Sequence, residues 1–114
     1  MTDPTPRGNA PASPDGLAAL GAELAERMRA RFDADGAPNR QALALAEEVG
    51  EFVGAYRRWS GQARRTGPFS DVCEELADVV ITAYVTAAVL DIDLDNAIAA
   101  KTGVLFTRGW RDHL

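Results

Sequence analysis

Two clusters of acidic residues within strongly apolar segments constrain the fold of this chain more than any other feature. Five of its seven glutamates lie within residues 47–51 and 74–78. On an α-helix, residues three or four apart share a face, so each cluster predicts a strip of carboxylates at the edge of the core. The two strips have the same 4-3-4 spacing and consist of Ala44, Glu48, Glu51 and Ala55 on one helix and Asp71, Glu75, Asp78 and Thr82 on the other.

Each acidic strip borders an apolar stripe that is expected to pack into the core. The stripes consist of Leu45, Val49, Phe52, Val53 and Tyr56 on the first helix and Val72, Leu76, Val79, Ala83 and Ala87 on the second. In the same segments, Cys73 is expected to be a small buried hydrophobic residue. Gly50 is expected to let another helix or a substrate approach closely.

An antiparallel hairpin of the two helices would bring the clusters together with an axial offset of roughly 6 to 8 Å. Like charges at that distance repel one another, which either raises their pKa values or favours a bound cation. A hard divalent cation such as Mg²⁺ takes oxygen ligands and keeps waters for a phosphate substrate. The alternative is a solvated acidic face, the usual interpretation of one cluster alone. Two clusters with matching spacing favour the cation.

Composition and single residues exclude several classes of protein. The formal charge of −5 argues against a nucleic-acid or anionic-membrane binder. The one histidine is His113, the penultimate residue, which excludes a serine or cysteine triad in a rigid part of the chain and counts against zinc. The longest uncharged apolar run, residues 79–90, is too short to cross a membrane. A cytoplasmic protein is expected.

Apolar periodicity and helix-breaking residues predict four helices and no strand. Residues 1–14 are expected to form a disordered tail and residues 15–114 a single all-α domain, a four-helix bundle. The expected helices run from an Asp15 cap to about Phe32 or Asp33, from an Asn39 cap to about Trp59, from a Ser70 cap to near Asp91, and from Leu94, capped by Asp93, to about Arg108.

The motif E-E-x-x-E at residues 47–51, followed after 23 residues by E-x-x-D at 75–78, resembles the signature of the MazG-like, all-α nucleoside triphosphate pyrophosphohydrolases. The resemblance extends over roughly residues 39–108. It implies cleavage of the α-β phosphoanhydride of an NTP or dNTP to the monophosphate and pyrophosphate, which removes unwanted nucleotides. It also implies Mg²⁺, with Mn²⁺ as a substitute. The implied metal ligands are Glu48, Glu51, Glu75 and Asp78, with Glu47 as an auxiliary ligand or a base. The carboxylate that orients or deprotonates the water is Glu47 or Glu48, and the sequence does not decide between them.

The family motif Lys-x-x-x-Asn-x-x-Arg maps onto Lys101, Leu105 and Arg108, with leucine in place of asparagine. The resemblance therefore implies Lys101 and Arg108 as phosphate contacts. Trp59 is a candidate for stacking on a base, with core packing or a subunit interface as the alternative. Four arginines lie in or beside the loop of residues 60–70, and the sequence singles out none of them: Arg57, Arg58, Arg64 and Arg65.

Two other functions remain open at this point. One is a phosphoribosyl-ATP pyrophosphohydrolase-like enzyme, and the other is a non-catalytic helical oligomerisation module that binds Mg²⁺ and nucleotide. In each case a homodimer or a dimer of dimers is expected, because apolar faces such as that of residues 79–90 are too extensive for one small bundle to cover.

Overall fold

The computed structural model describes residues 16–108, in which four α-helices and no strand occur. This confirms the predicted all-α class. The predicted tail, the Asp15 cap and His113 lie outside the described residues. The helices are α1 (Gly16–Arg29), α2 (Ala37–Trp59), α3 (Phe69–Leu90) and α4 (Leu94–Arg108), and a short 3₁₀ turn (Ala34–Gly36) precedes α2.

The first two helices differ from the prediction at their ends. Helix α1 ends at Arg29, a few residues earlier than expected. Helix α2 begins at Ala37 rather than after an Asn39 cap. The reason is Pro38, which is favourable in the first turn of a helix. Its φ is already fixed at a helical value, and the N–H that proline lacks would have no hydrogen-bond partner in the first turn.

Proline also moves the start of α3. Pro68 is extended (φ −81°, ψ 157°) and Phe69 is the first helical residue, so Ser70 lies inside the helix and does not cap it. The predicted cap of α4 is confirmed, because the Asp93 carboxylate accepts a hydrogen bond from the Asn96 N–H at 3.1 Å.

The core forms where α1 and α2 pack against α3. Helices α2 and α3 are antiparallel, since the Thr86 hydroxyl lies near Gln41 early in α2 and the Trp59 ring lies near Phe69 at the connection. Where α1 crosses α3, Gly21 lies against the backbone of Tyr84. Apart from Tyr84, the buried apolar side chains are small or medium in size. The full set is Ala25, Ala55, Val72, Tyr84, Val85 and Ala87.

Helix α4 contributes nothing to this core, because none of its residues is buried. Its described side-chain link to the rest of the chain is a hydrogen bond in which the Tyr84 hydroxyl donates to Asp95 Oδ1 at 2.7 Å. The same bond, followed by burial and the Asp95 charge, raises the pKa of Tyr84 above its ordinary value.

One flank of the α2–α3 hairpin is apolar and exposed. Its five side chains are between 40 and 48% exposed, and we call it the apolar flank: Val49, Val53, Tyr56, Leu76 and Val80. The expectation that four of them, Val49, Val53, Tyr56 and Leu76, lie in the core is wrong for a single chain, because neither α1 nor α4 covers this flank. Cys73 is exposed as well, contrary to expectation. Among the described residues, no helix has the length and apolar character needed to cross a membrane.

Candidate metal centre

The antiparallel register of α2 and α3 brings three predicted ligands together. One carboxylate oxygen from each of Glu48, Glu51 and Glu75 lies within 4.8 Å of the other two. Side chains from both acidic clusters therefore meet across the hairpin. Glu51 lies eight residues before the end of α2, and Glu75 lies six residues after the start of α3. The two glutamates are therefore at similar distances from the connection between the helices.

Asp78 lies one turn along α3 from Glu75, on the same strip. Its carboxylate is not one of the three that meet within 4.8 Å. It is near enough for its negative charge to raise the pKa of both Glu48 and Glu75. Asp78 therefore borders the cluster and adds to its negative potential.

The cluster is electrostatically unfavourable without a cation. Burial raises the pKa of Glu48 above the ordinary value of 4.5, and the charges of Glu51 and Asp78 raise it further. The pKa of Glu75 is raised by the same causes in the same order.

The Oε1 atoms of Glu48 and Glu75 are both buried and have no hydrogen-bond partner among the described residues. A buried carboxylate oxygen without a partner is costly, and a cation between the two glutamates would satisfy both. The donor set is all oxygen, which suits Mg²⁺ rather than a softer metal. The residues present thus fit the predicted divalent cation.

An open groove of about 570 Å³ runs beside the cluster, and we call it the acidic groove. It is lined by Glu47, Gly50, Glu51, Gly54, Arg58 and Glu75. Glu47 is exposed and is not one of the three clustered carboxylates. No atom lies within 4 Å of the position of a Cβ at Gly50, so the close approach of another helix expected there does not occur among residues 16–108.

The sequence interpretation missed Arg58, which lines the acidic groove. A signal for it exists in the chain. Glu47, Glu51, Gly54 and Arg58 repeat the 4-3-4 spacing of the acidic strips, so the helix presents this arginine on the same side as two of the carboxylates.

A second groove, of about 610 Å³, opens where α1 meets the hairpin, and we call it the apolar groove. It includes Ala44 and Thr82, which lie one turn from Glu48 and Asp78, so it adjoins the cluster. The sequence did not predict this groove, because it depends on how α1 packs. Its lining residues are Leu24, Arg27, Met28, Arg31, Phe32, Gln41, Ala44, Ile81, Thr82 and Val85.

Gln41 forms part of this lining and is only 4% exposed, yet its amide is poorly paired. Its Nε2 donates to the sulfur of Met28 at 3.6 Å, which is a weak acceptor. Its Oε1 lies 3.5 Å from the Thr86 hydroxyl, whose single proton has a much closer acceptor in the Thr82 carbonyl at 2.8 Å. The amide oxygen of Gln41 therefore lacks an effective donor.

Three predicted substrate-binding residues line neither groove. Trp59 is 47% exposed and packs against the rings of Tyr56 and Phe69, with centroid separations of 6.0 and 5.0 Å. Lys101 is exposed on α4, and Arg108 lines a shallow hollow formed by α4 itself. The described part of a single chain does not bring these three side chains to the carboxylates.

Comparison with known families supports the interpretation of the acidic cluster. The family model described as MazG nucleotide pyrophosphohydrolase domain matches residues 37–103. That span is more than half of the chain and contains all four predicted metal ligands. No curated protein and no solved structure gave a significant match.

Proposed function

The chain belongs to the MazG nucleotide pyrophosphohydrolase family, and from this membership we propose that it is a Mg²⁺-dependent enzyme acting on nucleoside triphosphates. The reaction is hydrolysis of the α-β phosphoanhydride of an NTP or dNTP to the monophosphate and pyrophosphate. The observation that carries the proposal is the meeting of three carboxylates within 4.8 Å, two of which have a buried oxygen without a partner.

Four side chains would hold the metal: Glu48, Glu51, Glu75 and Asp78. Glu48 and Glu75 supply their buried oxygens, while Glu51 extends from the exposed side. When bound, Mg²⁺ would neutralise charge on the phosphate oxygens and on the leaving pyrophosphate. Mn²⁺ has the same preference for oxygen ligands and is expected to substitute.

Glu47 is the better placed of the two candidate bases. Glu48 is occupied in the cluster, whereas Glu47 is exposed and lines the acidic groove. In the proposed step, Glu47 accepts one proton from a water molecule as the water oxygen bonds to a phosphorus atom of the α-β anhydride. The bond from that phosphorus to the bridging oxygen breaks, and the second proton of the water stays on the product phosphate.

The apolar groove is the proposed site of the nucleoside. It adjoins the cluster through Ala44 and Thr82, and Phe32 in its lining is 52% exposed. The Arg40 guanidinium carbon lies 5.4 Å from the centroid of the Phe32 ring, so a base would stack on the opposite face of that ring. The poorly paired amide of Gln41 offers a donor and an acceptor side by side, which matches the edge of a nucleobase. Phe32 would therefore bind the face of the base and Gln41 its edge.

A homodimer or a dimer of dimers is proposed as the working assembly. Its support is the apolar flank, five large side chains at least 40% exposed on one side of the hairpin. Lys101 and Arg108 reach neither groove within a single chain, so their proposed role as phosphate contacts requires a second copy. The same holds for Trp59 as a residue that stacks on a base.

A pyrophosphate-release assay tests the function directly. The panel would contain canonical and modified nucleoside triphosphates together with phosphoribosyl-ATP, each assayed with Mg²⁺, with Mn²⁺ and with EDTA. Pyrophosphate and monophosphate in equal amounts, formed only with metal, are the expected products. Turnover confined to phosphoribosyl-ATP would replace the proposed substrate class. Nucleotide binding by calorimetry without any turnover would replace the enzyme with a binding module.

A further inference from the structure

Arg58 is the single basic side chain that lines the acidic groove within residues 16–108. It faces the same space as Glu47, Glu51 and Glu75. Neither the family match nor the sequence motif assigns it a role. Its position in the acidic groove distinguishes it from the other arginines of residues 16–108.

Two glycines position the Arg58 side chain. A Cβ at Gly54, one turn earlier in α2, would lie 3.3 Å from one terminal guanidinium nitrogen. A Cβ at Gly67, in the loop before α3, would lie 3.3 Å from Arg58 Cβ and 3.6 Å from its Nε. The stem therefore runs beneath the loop and the guanidinium lies beside α2 at the level of Gly54. A side chain confined in this way loses less conformational entropy when it binds a ligand.

The guanidinium of Arg58 makes no hydrogen bond and no ion pair with any residue from 16 to 108. Four other arginines of the same part of the chain are paired: Arg27 and Arg29 with glutamates of α1, Arg40 with the Asp33 carbonyl, and Arg57 with the Gln62 carbonyl. Four more make no such contact within this part of the chain, namely Arg31, Arg64, Arg65 and Arg108, but none of these lines the acidic groove. Arg58 keeps its planar set of N–H donors free in a groove beside a candidate metal centre. That donor set matches the oxygens of a phosphate group in a two-point contact.

The order of features along α2 determines which phosphate Arg58 can reach. Along α2, the apolar groove extends as far as Ala44. The carboxylate cluster follows at Glu48 and Glu51, and the Arg58 guanidinium lies beside Gly54. From Ala44 to Gly54 the helix rises about 15 Å. A nucleotide with its nucleoside in the apolar groove and its α and β phosphates at the cluster would place the end of the phosphate chain at Arg58.

We propose that Arg58 binds the terminal phosphate of the substrate and thereby makes the enzyme select nucleoside triphosphates over diphosphates. This inference rests on the proposed function, since it takes the substrate to be a nucleotide lying along α2. It assigns Arg58 to the part of the substrate that leaves as pyrophosphate. A diphosphate lacks the group that Arg58 would bind.

The test compares Arg58→Gln and Arg58→Lys with Arg57→Gln, which removes the same charge from the neighbouring residue. Calorimetry in the presence of Mg²⁺ would measure binding of inorganic tripolyphosphate and of pyrophosphate. Kinetics would measure kcat/KM for the best triphosphate of the substrate panel and for its diphosphate. We expect Arg58→Gln to weaken tripolyphosphate binding and triphosphate turnover by about 10- to 100-fold, the usual range for lost hydrogen bonds to a charged group.

The effect of Arg58→Gln on diphosphate turnover is expected to stay below about threefold, because a nucleoside diphosphate does not extend to residue 58. Pyrophosphate contains the phosphate that Arg58 would contact, so its binding should weaken as tripolyphosphate binding does. Arg58→Lys should fall between the wild type and Arg58→Gln, since it keeps the charge and loses the two-point contact. The Arg57→Gln variant should behave like the wild type.

Equal losses of turnover for the triphosphate and the diphosphate, or no loss for either, would overturn the inference while leaving the proposed function intact. A wild-type protein that binds tripolyphosphate through Arg58 yet releases no pyrophosphate from any nucleotide would overturn the function and leave the phosphate contact standing. Failure of the wild-type protein to bind either polyphosphate would overturn both.

Discussion

The carbonyl oxygen of Tyr84 lies 2.6 Å from the position that a Cβ would occupy at Gly21, and the carbonyl carbon lies at 2.7 Å. Helices α1 and α3 therefore approach one another at a distance that only glycine permits. Both contacts are to backbone, which cannot move aside as a flexible side chain could. This crossing sets the position of α1 and hence the shape of the apolar groove.

The first prediction concerns that crossing. Gly21→Ala should lower the free energy of unfolding by about 1 to 3 kcal/mol, the usual cost of overpacking. Gly50→Ala is the matched control, since a Cβ at Gly50 meets no atom within 4 Å. That variant should stabilise the helix by about 0.5 to 1 kcal/mol. Urea unfolding of both variants, followed by circular dichroism, measures the two changes. A Gly21→Ala variant as stable as the wild type would show that α1 does not pack in this position.

The second prediction concerns the carboxylate cluster. Glu48→Gln, Glu51→Gln, Glu75→Gln and Asp78→Asn should each lower kcat/KM for the triphosphate by about a hundredfold or more, since a metal ion contributes several kcal/mol to stabilising the transition state. The fold should be intact or more stable, because one of several like charges is removed. Glu74→Gln is the control, as its carboxylate neighbours Glu75 but does not line the groove. Near-normal turnover in two of the four variants would contradict the assignment.

The third prediction concerns pH and follows from the raised pKa values of Glu48 and Glu75. A carboxyl group whose pKa is higher in the folded state than in the unfolded state binds protons more tightly when folded. Its contribution to stability is fully present below the unfolded value, near 4.5, and is lost as the pH rises through the folded value. Without metal, the protein should therefore lose this contribution as the pH rises above about 4.5.

The double variant Glu48→Gln/Glu75→Gln isolates this effect from that of the other carboxylates. In EDTA, its Tm should match that of the wild type below pH 4.5 and exceed it increasingly as the pH rises toward 7. Adding Mg²⁺ at neutral pH should raise the Tm of the wild type and leave that of the variant nearly unchanged. A wild-type protein that is as stable as the variant at neutral pH in EDTA would mean that the carboxylates do not repel one another as proposed.

The fourth prediction concerns Gln41. Gln41→Met keeps the volume of the side chain and removes a buried amide that has weak partners, so it should leave the protein as stable as the wild type or more so. If the amide contacts the base, the same variant should lose discrimination among bases in the substrate panel. Thermal melts measure the first effect and kcat/KM ratios the second. A variant that loses stability but keeps its base preference would identify Gln41 as a structural residue only.

The fifth prediction concerns the apolar flank. Light scattering at micromolar concentration should show a dimer or tetramer for the wild type. Val53→Asp and Leu76→Asp should shift it toward the monomer, because each places a charge on the surface proposed to be covered. Leu43→Asp is the control, since Leu43 is 58% exposed and lies on a different side of α2. A wild-type protein that is strictly monomeric would contradict the proposed assembly.

Local spacing was sufficient to predict the centre of the site. Glu48 and Glu51 share a helical face by geometry alone, and one antiparallel partner helix brings Glu75 to them. The family motif made the same assignment. The cap at Asp93 is similarly local, because its partner lies three residues away in the chain.

Features that depend on tertiary packing could not be predicted. The apolar groove depends on the close crossing of Gly21 and Tyr84, which are far apart in sequence. The helix face of Arg58 follows from its spacing, but the path of its side chain beside the loop depends on Gly67, a residue with no pattern that identifies its neighbour. The apolar flank could not be told from a core stripe, because apolar residues have the same helical spacing whether they face the core of their own chain or the surface of a partner.

The link between Tyr84 and Asp95 implies an uneven distribution of local stability along the chain. Tyr84 belongs to the buried centre of α3, whereas α4 beyond Asp95 buries nothing. Amide protons of residues 84–87 should exchange with deuterium only on global unfolding, while those of α4 should exchange through fraying at much lower free energy. If a second copy of the chain covers α4 in the assembly, the amide protons of α4 would be protected and their exchange would slow. Slowed exchange in α4 at high protein concentration would then report where the subunits meet, without crystals and without substrate.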